Sequence, residues 1–305
     1  MHVCRTITDI RATAAGFHNA RESVALVTTK GDLHAGQMAL ITRARAESQR
    51  VVVAILPETP HADIATDIAM LDLGCVDAVF APAAAEFAPS DAETIVEPVA
   101  LAKSLLGKVQ PGYFRGPAAQ AMRLFNLIQP EAACYGEKDY QQLCVLRQIC
   151  RDLHVPVRVI GVPTQRDADG LALSSRNAQL STEDRAAAPI LSRVLTEAEE
   201  MAKTGITASR LRAWIAAHIQ AEPRANLQSA DIRDAQTLRT IAGPLSAPAV
   251  ILLAVKFGRT LLIDQRIVSP DATTSLHDDP HCRDELPSSQ KQAAPQPLAT
   301  GAFDV

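Results

Sequence analysis

Between residues 24 and 162 the spacing of apolar positions alternates between two periods. Short apolar runs stand at 24–27, 51–56, 76–80, 131–135 and 155–162, the first two rich in β-branched residues, and each reads as a strand. Between them the apolar residues recur at three- and four-residue steps. That spacing predicts a helix over 37–47, a second over 61–73 with Ile64, Ile68 and Leu71 on one face, and a later one over 140–153. Two helices follow residue 80, the clearer over 117–128, where Ala118, Ala121, Met122, Phe125 and Ile128 keep the helical rhythm. Uninterrupted apolar strands separated by amphipathic helices predict an α/β fold, a parallel sheet covered on both faces.

From Gln165 the pattern changes. A polar, loop-like stretch runs to Gln179, and Ser181-Thr182-Glu183-Asp184 then reads as a helix start. Helices are expected over 183–203 and 208–221, followed by strands at 229–233, 249–255 and 260–263, the last two flanking a Phe257-Gly258 turn. The expected organisation is a large domain over residues 1–164, a smaller α+β domain over 165–268 and a disordered tail over 269–305. The tail is rich in Pro, Ser, Ala, Gln and charge and has too little apolar surface to order itself.

Composition narrows the function classes. The 305 residues are 47% hydrophobic and 21% charged with a formal net charge of -4, which gives no global electrostatic case for nucleic acid or an anionic membrane. No apolar run approaches a bilayer span and the N-terminus lacks a signal-type apolar core, so a cytoplasmic protein is expected. The six cysteines are scattered without metal-type pairing and read as small core residues, and no metal site is assigned. His277, His281 and Cys282 in the tail are read as a chance grouping.

Ligands of an open parallel sheet bind beyond the carboxyl ends of its strands, where helix N-termini point at them. Three segments stand at such ends. In TTKGDLHAGQ, Gly31 and Gly36 let the backbone come close to a ligand, and His34 supplies a donor. In YGEKDYQQL a strand ends at Gly136, Asp139 is placed to cap the next helix, Lys138 stands where a phosphate would rest, and one of Gln141 and Gln142 faces the cleft. In DGLALSSRN, Ser174 and Ser175 donate and Arg176 neutralises charge, as in a phosphate clamp. Any one segment alone is as readily an ordinary polar turn; three at three strand ends point to one anion site.

LHAG with Gln37 downstream, YFRG (113–116), FNLIQP (125–130), YGEKDYQQL (135–143), GVPTQRDADGLALSSRN (161–177) and KFGRTLLIDQR (256–266) together resemble the pantoate–β-alanine ligase family. The resemblance covers residues 23–267. It implies a Rossmann-like parallel sheet of the nucleotidyl-transferase superfamily with a second, smaller α+β domain. It also implies ATP and Mg²⁺, formation of pantoyl adenylate from pantoate, displacement of AMP by β-alanine, and a homodimer. Carried over by position, ATP would be held by Lys30, Gly31, Asp32, Leu33, His34, Ala35, Gly36 and Gln37, by Gly136, Glu137, Lys138 and Asp139, by Gln165, and by Leu173, Ser174, Ser175 and Arg176. Gln142 would bind pantoate, and His34, Gln37, Lys138, Ser175 and Arg176 would be catalytic. Neither nucleic acid nor membrane is an expected partner.

Three departures qualify the resemblance. Gln37 stands where the family has the second histidine of His-x-Gly-His; its amide donates a neutral hydrogen bond but carries no charge, a change worth roughly 100- to 1000-fold in rate. Thr28-Thr29-Lys30-Gly31 replaces Pro-Thr-Met-Gly, bringing a cation to the mouth of the site. The segment PETPHAD (57–63) replaces a longer Asn-Pro-x-Gln-Phe stretch, so Gln142 alone remains of a glutamine pair, with His61 read as an exposed helix-start residue. Three readings stay open: a pantothenate-forming ligase of reduced activity, an adenylate-forming ligase for another acid, and a non-catalytic nucleotide-binding relative.

Overall fold

The computed structural model describes residues 1–56, 64–71 and 75–270. The substituted segment 57–63 with His61, the expected helix ends at 61–63 and 72–73, and the tail's His277, His281 and Cys282 lie outside the described residues.

Six strands, β1 His2–Cys4, β2 Val24–Thr29, β3 Arg50–Ile55, β4 Ala78–Phe80, β5 Ala132–Gly136 and β6 Arg158–Val162, form one sheet in the order β1-β4-β3-β2-β5-β6. Every pairing is parallel. Ten helices are found among the described residues: α1 Ile7–Asn19, α2 Ala35–Glu47, α3 Ile64–Leu71, α4 Ala84–Phe87, α5 Leu106–Val109, α6 Arg115–Ile128, α7 Tyr140–Asp152, α8 Thr182–Ala187, α9 Ile190–Ala202 and α10 Ala208–Gln220. Side chains alternate across each strand, so Leu26, Val52 and Phe80 pack with α1, α6 and α7 on one face, while Val27, Val53 and Val79 pack with α2 and α3 on the other. The stripe Ile64, Ile68 and Leu71 faces this second core.

Sequence patterning missed β1 and α1. The signal was present: Thr6 and Asp9 form a reciprocal capping box, and Ile10, Ala14 and Phe17 make the buried stripe. The helix expected over 183–203 is two, α8 and α9, broken at Ala188-Pro189; proline has no N–H to continue the ladder, although both residues keep right-handed helical angles. Of the cysteines, Cys4, Cys134, Cys144 and Cys150 are buried and Cys75 is exposed.

The second sheet is antiparallel, β7 Ala225–Asp234, β8 Ala249–Phe257 and β9 Thr260–Val268, with a bulge at Leu227/Ser229. On one face Ile251, Leu253 and Val255 pack with α9 and α10. From the other, Val250 joins the core of the parallel sheet, and the Tyr140 hydroxyl donates to the Ala235 carbonyl at 2.8 Å. Both sheets belong to one compact unit, Met1–Thr274.

Candidate active site

After β2 the chain runs on to β3 and β4 in one direction, whereas β5 and β6 lie on the other side. The carboxyl ends of β2 and β5 therefore flank the point where strand order reverses, the usual place for a ligand on such a sheet. A cleft of about 540 Å³ opens there. It is lined by Lys30, Gly31, His34, Gly36 and Gln37 from the turn after β2, and by Gly136, Lys138, Asp139 and Gln142 from the end of β5 and the start of α7. Gln165, Leu173, Ser174, Ser175 and Arg176 line it from beyond β6. The three expected segments thus converge. Asp32, Leu33, Ala35 and Glu137 are not among the lining residues.

Local chemistry fixes the aim of His34. It is the N-cap of α2, and its Nδ1 accepts the Gly36 N–H at 3.0 Å. A backbone N–H can only donate, so in the neutral ring the proton sits on Nε2. Burial, followed by the nearby Lys138 ammonium, holds the His34 pKa below its ordinary value, which keeps the ring neutral at pH 7. Gly36 is required by the close fit: a Cβ there would lie 2.7 Å from the His34 Cε1.

Gln37 completes the cap. Its Oε1 accepts the His34 backbone N–H at 2.9 Å, a reciprocal capping box with an imidazole in place of the usual hydroxyl. With Oε1 engaged, the amide NH₂ is the hydrogen-bonding group Gln37 has left to offer the cleft. The glutamine is therefore a structural part of the turn as well as a neutral donor.

Four backbone amides of this turn are already paired. Gly31 N–H donates to Thr29 Oγ1, Asp32 and Leu33 N–H donate to the Asp67 carboxylate, and Gln37 N–H donates to the His34 carbonyl. It offers a ligand side chains in place of these amides.

At the second segment, Asp139 makes no side-chain cap to α7, contrary to expectation. A 3-10 turn over Glu137–Asp139 feeds directly into the helix, and Asp139 has φ -92° and ψ 52° rather than the extended angles of a capping residue. Its carboxylate is the one acidic group among the described lining residues, against the cations of Lys30, Lys138 and Arg176. That balance selects anions. Gln142 faces the cleft, while Gln141 is buried and ties down the loop before α5, donating to the carbonyls of Leu101 and Ser104 and accepting from Leu106 N–H.

The third segment is a hairpin. Asp167 N–H donates to Leu171 O and Leu173 N–H to Gln165 O, with Gly170 at φ 88° in the turn between. Ser174 caps the 3-10 turn Ser175–Gln179, and the Arg176 guanidinium donates to the Leu261 carbonyl at 3.3 Å. Arg166 binds Asp264 on β9 through two bonds of 2.7 and 2.9 Å, and Arg185 on α8 holds Asp169 and Asp167.

Tyr113, Gln120, Thr28, Thr29, Tyr135 and Thr164 also line the cleft and were not expected from the residues alone. Gln120 had a readable signal: it lies one turn beyond Gly116 and Pro117 on α6, and all three face the cleft.

Comparison with known proteins matches this architecture throughout. A family model described as pantoate-beta-alanine ligase covers residues 2–267. The pantothenate synthetases of Sinorhizobium medicae and Rhizobium rhizogenes are each 41% identical to the chain, over 88% and 90% of it and 97% and 99% of their own lengths. Among solved structures, a pantothenate synthetase from Thermus thermophilus superposes with a TM-score of 0.82 at 38% identity, covering 88% of this chain and 100% of the other. A pantoate-beta-alanine ligase from Francisella tularensis, complexed with β,γ-ATP and β-alanine, gives 0.71 at 26% identity over 89% of this chain and 100% of that one. A family model spanning both sheets, relatives 41% identical over nearly their whole length and the superposed structures have one explanation: the chain belongs to the pantoate–β-alanine ligase family.

Proposed function

We propose that the chain joins pantoate to β-alanine in an ATP-dependent ligation. A pantoate carboxylate oxygen attacks the α-phosphorus of ATP, the bond to the bridging oxygen breaks and pyrophosphate leaves. The β-alanine amine then attacks the acyl carbon of pantoyl adenylate; AMP departs, the nitrogen loses a proton and pantothenate is formed. Such chemistry needs two anions held in line and charge stabilised on phosphate oxygens.

The carrying observation is the convergence of Lys138, Arg176, Ser174 and the neutral His34 on one cleft with a single acidic lining residue among those described. In this reading His34 Nε2–H and the Gln37 amide donate to phosphate oxygens near the reacting centre. Lys138 balances charge at the α-phosphate, Ser174, Ser175 and Arg176 hold the outer phosphates, and Gln142 positions pantoate. Lys30, exposed at the rim, supplies the cation that Gln37 lacks. A Lys30→Met variant should lose about tenfold in kcat; unchanged turnover would end that assignment.

Magnesium fits as an ion carried on the triphosphate. No group of three metal-ligating side chains is present among the described residues, and Asp139 offers one carboxylate, in keeping with a hydrated ion that takes most of its ligands from phosphate and water. When bound it neutralises phosphate charge. The family resemblance extends the proposal to a cytoplasmic homodimer joined through residues 1–164, with residues 165–268 as the domain bearing the clamp. Among the described residues no helix is long and apolar enough to cross a membrane.

ATP/pyrophosphate exchange with pantoate and a panel of other hydroxy acids tests the reading. Exchange greatest with pantoate, and rescue of a pantothenate auxotroph, are the expected results. Exchange only with another acid would reassign the substrate, and saturable ATP binding without exchange for any acid would leave a nucleotide-binding relative.

A further inference from the structure

Asp67 lies on α3, in the apolar stripe Ile64, Asp67, Ile68, Leu71, at a position where helical spacing calls for a core residue. It is 4% exposed. A carboxylate so buried needs strong partners. It has them: Oδ2 accepts the Asp32 N–H and Oδ1 accepts the Leu33 N–H, each at 3.1 Å. The turn it holds is unusual, because Gly31 has φ 95° and the non-glycine Asp32 φ 52°, two successive residues in the left-handed region. A bend of this kind aims consecutive amides at one point and forms an anion-binding nest. Here the chain fills the nest with its own carboxylate.

We propose that Asp67 is a positioning residue for the reaction. By occupying the nest it locks the left-handed turn, sets the entry of the chain into the His34 cap and so the aim of His34 Nε2–H. It also denies the nest to ligand phosphate, which leaves the triphosphate to Lys138, Ser174 and Arg176. Asp67 itself is absent from the cleft lining and acts through His34. The inference rests on ATP occupying this cleft. It assigns a role to a buried residue of α3 through the two amides it holds in the turn after β2.

The test compares wild type, Asp67→Ala and Asp67→Asn in ATP/pyrophosphate exchange, with and without added formate, a carboxylate small enough to enter the space left by the side chain. A misaimed group near the reacting atoms costs on the order of 10- to 100-fold. Asp67→Ala should lose that much kcat with the KM for pantoate within about twofold of wild type, and formate should restore part of it. Asp67→Asn, which keeps the shape and one acceptor oxygen, should fall between the two, and it carries the test if the alanine variant does not fold. Formate should also raise the Tm of Asp67→Ala but not of wild type, a reading that needs no catalysis and holds even if wild type proves inactive and the ligase assignment fails. Wild-type turnover in either variant, or a loss indifferent to formate in both exchange and melting, would overturn the proposal.

Discussion

The turn after β2 and the hairpin after β6 face each other across one cleft but are held by different forces. The turn is fixed by hydrogen bonds to its backbone: Thr29, Gln37 and His34 take up amides within a few residues, and Asp67 takes up two more from α3. The hairpin hangs from the second sheet and α8 through charges, Arg166 to Asp264 and Arg185 to Asp167 and Asp169, with Arg176 resting on Leu261. The first arrangement suits a group that must be aimed within tenths of an ångström of a reacting atom. The second suits a clamp that only has to close on charge. The difference separates aim from grip, and substitutions on each side should show it.

The largest effect is expected at Lys138. Lys138→Ala should lower kcat by roughly 100- to 1000-fold while the Tm stays near that of wild type, measured by pyrophosphate exchange and thermal melting. Arg166→Ala comes next and reverses the pattern: it leaves the fully buried Asp264 carboxylate without its guanidinium and should cost about 3–5 kcal/mol of stability in denaturant titration. A loss confined to rate, with stability intact, would show that the hairpin is not mounted as described.

The third test is pH. Because burial and Lys138 lower the His34 pKa, the ring is neutral above its ordinary range, and kcat/KM for ATP should be flat through neutrality. It should fall as the pH drops through the depressed value, when Nδ1 gains a proton and can no longer accept the Gly36 N–H. Stability follows the same sign: between the folded and the ordinary pKa the unfolded chain binds the extra proton, so this contribution weakens on acidification. A limb centred above the ordinary histidine value would contradict the buried, neutral ring. The smallest effect belongs to Arg185→Ala. Its partners are partly exposed, so the change should cost at most about 1 kcal/mol and raise the KM for ATP a few-fold with kcat unchanged.

Much of the molecule was legible in the sequence because its signals are local. The short apolar runs gave five of the six strands of the parallel sheet, the spacing of Ala118, Phe125 and Ile128 gave α6, and the glycine- and hydroxyl-bearing segments marked strand ends. Where two local rules competed, reading failed: Asp139 has a capping residue's chemistry but not its backbone angles, and Pro189 split a helix that the apolar pattern ran through. Edge strand β1 was too short to carry a pattern.

The residues alone determined the α/β class, the three segments that line the cleft and the presence of Gln37 three residues after His34, since each depends on a side chain and its near neighbours. Only the tertiary structure decided that Gln142 rather than Gln141 enters the cleft and that Asp67 occupies the bend at Asp32 and Leu33. Those outcomes depend on which groups meet across tens of residues of chain. Hydrogen bonds between such distant partners leave no period in a sequence, because their geometry exists only after the sheet and helices have packed.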